Sequence, residues 1–138
     1  QNALLYAQEA FIPVSTDYLG FDALIKMTKA IETLNKHFKH NIKITKVIPT
    51  LFDKRNKSCK AYLDKINNQF YEIASAPIRI NSKLKEAPAY GKSIFSYAKN
   101  SRGAEDYGEL VKSVLHEEER VLSGYKRTVM EKLVEVDD

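Results

Sequence analysis

Apolar and polar positions along this chain switch between two periods. Ala10-Phe11-Ile12-Pro13-Val14 is an apolar run too short for a helix, closed by the capping and turn residues Ser15-Thr16-Asp17. It predicts a buried strand. Phe21, Leu24, Ile25, Thr28, Ile31, Leu34 and Phe38 then recur at three- and four-residue spacing, with Lys26, Lys29, Glu32 and Lys36 off the stripe. That pattern predicts an amphipathic helix over about 20–37. Ile42 to Thr50 is β-branched and largely apolar and predicts a second strand; Pro49 lacks an N–H donor and belongs where the ladder stops. Ser58 or Asn56 can cap the next helix, whose inward positions are Cys59, Tyr62, Leu63, Ile66 and Phe70. Ile73 to Ile80 predicts a third short strand, with Pro77 limiting its pairing.

Strands alternating with helices imply right-handed βαβ units. The expected class is therefore α/β, a parallel sheet of about three strands with flanking helices. Beyond a loop over residues 83–93, Ile94 to Tyr97 allows one helical turn, and Ser101 can cap a long helix through Ala104, Tyr107, Leu110, Val111, Val114 and Leu115. Leu115, Leu122, Val129 and Val136 fall seven apart, as in a coiled-coil seam, but Glu118 and Tyr125 occupy the companion positions and Gly124 weakens the helix by ~1 kcal/mol. An ordinary amphipathic tail is the favoured reading. The organisation expected is one domain over residues 1–116 and a charged helical tail over 117–138.

A chain of 138 residues, 43% of them hydrophobic, can bury roughly two-thirds of its unfolded surface and so build a core. Ala3-Leu4-Leu5-Tyr6-Ala7 reads as the end of a helix, which predicts a fragment of something longer. Twenty-two Lys and Arg against 18 Asp and Glu give a net charge of +4, compatible with a polyanionic partner. Acids gather late, at Glu117-Glu118-Glu119 and from Glu131 to Asp138, which leaves residues 26–102 more basic. Such an acidic end would be repelled by an anionic membrane, and no apolar run approaches the ~18 residues a membrane helix needs. The single Cys59 excludes an internal disulfide framework and suits a reducing, cytosolic setting.

Few constellations carry chemistry by themselves. His37 and His40 are three apart, without the further ligands a metal site needs. No spacing sets a nucleophile against a base. Gly91-Lys92-Ser93 supplies only the tail of a phosphate loop, and Glu86, five residues before Gly91, would repel a phosphate. More informative is Asp53-Lys54-Arg55-Asn56-Lys57, which follows the C-terminal end of the second strand, the edge at which parallel α/β sheets bind ligands. The third strand delivers Arg79 and Asn81 to that edge. Lys83, Lys85 and Lys92 extend the basic strip and could neutralise phosphates without reading bases.

Five blocks, in order, resemble the ParA/Soj family of chromosome- and plasmid-partitioning ATPases. They are Gln1-Asn2-Ala3-Leu4; Phe11-Ile12-Pro13-Val14 with Asp17-Tyr18 and Leu24; Val47-Ile48-Pro49-Thr50-Leu51-Phe52-Asp53-Lys54-Arg55; Glu86-Ala87-Pro88 with Gly91-Lys92; and Ser101-Arg102-Gly103-Ala104-Glu105. The resemblance runs to about Leu115 and implies the C-terminal half of a P-loop NTPase fold. It implies that the loops after Thr50 and Ile78 border an adenine, with Asp53 and Asn81 the best-matched polar groups, and that Arg55 stands where the family places a DNA-contacting arginine. Many members read Ile-Pro-Arg-Asn where this chain has Ile78-Arg79-Ile80-Asn81, so the family's second such arginine does not carry over directly.

The candidate nucleotide-side residues are therefore Thr50, Asp53, Ile78 and Asn81, and the candidate DNA-facing cations are Arg55, Lys57, Arg79, Lys83, Lys92 and Arg102. The resemblance implies ATP and Mg²⁺ as cofactors of the parent protein, none bound by this chain alone, because the family's phosphate loop and metal-holding acid have no counterpart in these residues. It also implies a homodimer, non-specific DNA, a ParB-type partner and a cytoplasmic, nucleoid-associated location, with no hydrolysis by this chain alone. The competing readings are a MinD-like cell-positioning ATPase and a non-catalytic α/β dimerisation module.

Overall fold

The computed structural model describes Leu4 and residues 6–134, with side chains within that range described as far as Arg127. Gln1 to Ala3 of the first matched block, Leu5, Val129 and Val136 of the seven-residue series, and the acidic Glu135, Asp137 and Asp138 lie outside the described residues or side chains. The elements are β1 (Glu9–Ser15), α1 (Tyr18–Phe38), β2 (Lys43–Thr50), α2 (Lys57–Gln69), α3 (Ser82–Glu86), a 3₁₀ turn (Ala87–Tyr90), α4 (Ile94–Tyr97) and α5 (Arg102–Val134). By contact density the chain divides into two compact units, Gln1–Asp106 and Tyr107–Asp138.

α1, α2 and α5 form close to where periodicity and caps place them, whereas the span 83–93 expected as a loop holds most of α3, capped by Asn81, and the 3₁₀ turn. Asp17 accepts from the Gly20 N–H at 2.7 Å and starts α1. Phe21, Leu24, Ile25, Thr28, Ile31 and Leu34 are buried or half-buried, whereas Phe38, the last residue of α1, is 64% exposed. Asn56, not Ser58, caps α2 by accepting from the N–H groups of Ser58 and Cys59. The five inward positions expected on α2 are all buried or half-buried, and Tyr62 brings its ring to 6.1 Å from that of Phe21 on α1. Val14, Leu24, Val47 and Ile66 make the core between the two strands and these two helices. Ser101 caps α5 through the Ala104 N–H.

β1 and β2 are parallel neighbours. The strand expected over Ile73 to Ile80 is extended but pairs with β2 only through two isolated parallel bridges, Val47 with Ala74 and Phe52 with Arg79. The reason is visible in the bonds that are made. The Val47 N–H donates to the Ile73 carbonyl and the Ser75 N–H donates back to Val47, both at 2.9 Å. The next two bonds of a regular parallel ladder would need N–H groups from Pro49 and Pro77, which have none. Ile78 donates to the Pro49 carbonyl instead, Leu51 takes a left-handed φ of 54°, and pairing resumes at the same offset from Phe52 to Ile78 and Ile80.

One expectation for β1 is corrected. The apolar run predicts a buried strand, yet Glu9, Phe11 and Pro13 are exposed and Val14 alone is fully buried. The core covers one face of this strand, and among the described residues its edge away from β2 carries no ladder. Its C-terminal end is nonetheless fixed. The Thr16 N–H and hydroxyl both donate to the Thr50 carbonyl, and the Thr50 hydroxyl donates to the Val14 carbonyl. The strands thus end level, and the segments leaving them share one edge.

Candidate functional site

At that edge the loop after β2 and the segment after Ile78 run side by side, joined by the Ile80 N–H to the Phe52 carbonyl at 2.9 Å. An open cleft of about 390 Å³ lies there, lined by Phe52, Asp53, Lys54, Arg55, Arg79, Ile80 and Arg102. Four cations and one carboxylate surround it, with Phe52 and Ile80 as apolar wall. The two segments expected to share one sheet edge meet through the Phe52–Arg79 bridge, with Asp53 in the cleft lining and Asn81 outside it.

Several of the candidate side chains are engaged. Asp53 Oδ1 accepts from the Arg55 main-chain N–H at 2.9 Å and from Nε at 3.2 Å, while Oδ2 accepts from the guanidinium at 3.2 Å. These hydrogen bonds hold the Asp53 carboxyl below its usual range and raise Arg55. The Arg55 side chain remains 84% exposed. Asn81 Oδ1 accepts from the Lys83 N–H and so caps α3, which leaves its NH₂ group as donor. The Thr50 hydroxyl is spent on Val14, and Ile78 is buried.

Arg79 is gripped from across the chain. Its main-chain N–H donates to Asp106 Oδ2 at 2.8 Å, its Nε reaches both Asp106 oxygens at 3.1 Å, and its terminal nitrogen lies 2.6 Å from Asp106 Oδ1 and 2.5 Å from Glu105 Oε2. The hydrogen bonds to Asp106, then those to Glu105, raise its pKa further above the ordinary guanidinium value. Asp106 and Glu105 belong to the first turns of α5. Gly103 brings that helix start against α3, since a Cβ there would lie 2.6 Å from Leu84 Cγ.

The Lys83 to Lys92 loop is a separate cluster. Glu86 Oε2 accepts from Lys83 Nζ at 2.7 Å and from the Tyr97 hydroxyl at 2.8 Å, so its carboxyl is held below the usual range, with Lys83 the larger cause. Tyr97 stacks on Tyr90 at 5.1 Å. Gly91, at φ 59°, closes the 3₁₀ turn, and the Ser93 hydroxyl accepts from the Ser96 N–H, so Gly91-Lys92-Ser93 forms a turn between two short helices and no phosphate loop. His37 bonds a carbonyl of its own helix and His40 the Ala7 carbonyl; among the described residues no group of three or more His, Cys, Asp or Glu is arranged to hold a metal.

The structure thus gathers Asp53, Arg55, Arg79 and Arg102 around one cleft, while Thr50, Lys57, Ile78, Asn81, Lys83 and Lys92 do not line it. Lys54, Phe52 and Ile80 were not among the candidates. Ile80 continues the alternation with the buried Ile78, a pattern that predicts burial, yet it is 45% exposed, so the sequence carried no signal for its place in the cleft. No helix among the described residues is long and apolar enough to cross a membrane.

Two parallel strands flanked by helices, with a cleft at their C-terminal edge, make an α/β arrangement compatible with part of a P-loop NTPase fold. No family model matches the chain. It is 31% identical over 114 residues to the sporulation initiation inhibitor protein Soj of Bacillus subtilis, covering 82% of this chain and 45% of that protein. The chromosome partitioning protein ParA of Caulobacter vibrioides is 25% identical over 118 residues, 85% of this chain and 44% of its own length. The cell division protein PomZ of Myxococcus xanthus is 25% identical over 115 residues, 83% of this chain and 36% of its own. The chain belongs to the ParA/Soj family and corresponds to the C-terminal portion of these relatives. It spans less than half the length of the curated relatives it matches.

Proposed function

We propose that this chain is a portion of a ParA-type ATPase that segregates chromosomal or plasmid DNA by ATP-dependent dimerisation and non-specific DNA binding. The observation that carries the reading is the cleft where the Asp53 loop and the segment after Ile78 run together. Phe52 and Ile80 give an apolar wall against which a purine can lie, and the Asn81 NH₂ remains to donate to a ring nitrogen. Thr50 and Ile78 serve this site indirectly, by fixing where the two loops leave the sheet. ATP would supply the energy for dimerisation in the whole protein. Mg²⁺ would be held in the whole protein together with the phosphates; among the described residues no group of three or more His, Cys, Asp or Glu is gathered for a metal.

The DNA-facing role falls to exposed cations. Arg55 keeps its guanidinium in solvent despite its partner, and Lys57, Lys92 and Arg102 are exposed. Lys83 is partly committed to Glu86. Such a set neutralises phosphates without reading bases, which suits sequence-independent binding at the nucleoid. A ParB-type partner and a cytoplasmic location belong to the same reading. The test is retardation of two unrelated duplexes across a salt series. Arg55→Ala should weaken both equally and lower the slope of log affinity against log salt by about 0.9; unchanged affinity would remove Arg55 from the interface. The likeness to PomZ keeps a cell-positioning role as a second reading, and co-flotation of the chain with anionic vesicles would favour it.

A further inference from the structure

Arg79 lines the cleft, yet its main-chain N–H and its guanidinium donate to Asp106 and Glu105 at the start of α5. Asp106 meets it three ways, through the main-chain N–H, through Nε and through the terminal nitrogen, and the Asp106 side chain is only 10% exposed. Glu105, 66% exposed, accepts from the same terminal nitrogen that Asp106 holds, and the Arg79 side chain is 36% exposed. Recruiting Arg79 to a phosphate would strand a nearly buried carboxylate, and an unpaired buried charge is the costly outcome. Arg102 lines the cleft one helical turn before Asp106, so the same grip sets where that cation stands.

We propose that Asp106 is a positioning residue that staples the Arg79 segment to α5, withdraws the Arg79 guanidinium from anions and leaves Arg55, Lys54 and Arg102 as the cations an anion meets at the cleft. The DNA part of this inference rests on the reading above; the staple does not.

Two measurements on the full chain decide it. In urea unfolding, Arg79→Ala and Asp106→Ala should each lower the folding equilibrium constant by about 30-fold, and the double variant should be no worse than either single. Effects that multiply would overturn the staple. Should the alanine variants not fold, Arg79→Lys and Asp106→Asn replace them, because lysine supplies a point charge without the two-pronged geometry. In duplex binding across a salt series, Arg79→Ala should leave the slope unchanged, whereas Glu105→Gln with Asp106→Asn should steepen it by about 0.9, and adding Arg79→Ala should restore the original slope. A slope that falls in the simple Arg79→Ala variant would make Arg79 a phosphate contact and overturn the withdrawal. A wild-type chain that binds no duplex at any salt would defeat the DNA reading alone, with the urea cycle still deciding the staple.

Discussion

Two aspartate–arginine pairs border one cleft and do different work. Asp53 and Arg55 sit two residues apart in a single loop, and the arginine side chain is 84% exposed. Asp106 and Arg79 are 27 residues apart, and the aspartate is 10% exposed. In both, hydrogen bonding drives the arginine upward in pKa. The near pair can open into water at little cost, so its guanidinium stays available. The far pair closes a chain of contacts between separate elements, and opening it leaves a charge with poor hydration. Burial, and not the identity of the partners, decides whether an arginine at this edge is a contact or a brace.

The largest perturbation should come from the packing beneath the far pair. Gly103→Ala would push a methyl into Leu84, and overpacking of this kind costs about 2 kcal/mol. Urea denaturation checks it, and undiminished stability would mean that α5 does not start so close to α3, which would loosen the geometry of the Arg79 grip.

An intermediate effect is expected at the second near pair, Lys83 with Glu86. The Glu86 carboxyl is held low by Lys83 and then by the Tyr97 hydroxyl, so the folded state binds its proton less readily than the unfolded chain. The stability this contributes is complete above the unfolded value near ~4.3 and is lost as pH falls through the lower folded value. The near-ultraviolet signal of the Tyr90–Tyr97 stack should therefore hold at pH 5 and decline in more acid solution. A decline already under way well above pH 5 would reverse the sign.

The smallest change should follow Asp53→Asn. An exposed pair contributes little, so the urea midpoint should match that of the parent chain within repeat error. A loss comparable to that of Asp106→Ala would dissolve the distinction between the two pairs.

Several features lay open in the residue pattern. The stripe on α1, the inward set on α2, the cap at Ser101 and the convergence of the two loops follow from spacing and from the rule that parallel sheets present their ligands at one edge, while Asp17 was one of three residues that could start α1. Others were half visible. Pro49 and Pro77 each signalled a weak place in the sheet, but only their alignment across the ladder removes consecutive bonds and reduces the third strand to two bridges. The exposure of Phe11 was hidden because a short apolar run looks the same whether one face of a strand is covered or both are.

Helix periodicity and capping act over three or four residues, and at that range the sequence by itself determined β1, α1, β2, α2, the start of α5 and their order, together with the chain's place in the ParA/Soj family. Which arginines at the cleft remain reachable was decided only by the tertiary structure. Asp106 meets Arg79 because α5 begins against Leu84 and the broken strand resumes at Phe52, long-range placements that depend on packing and on which backbone donors exist.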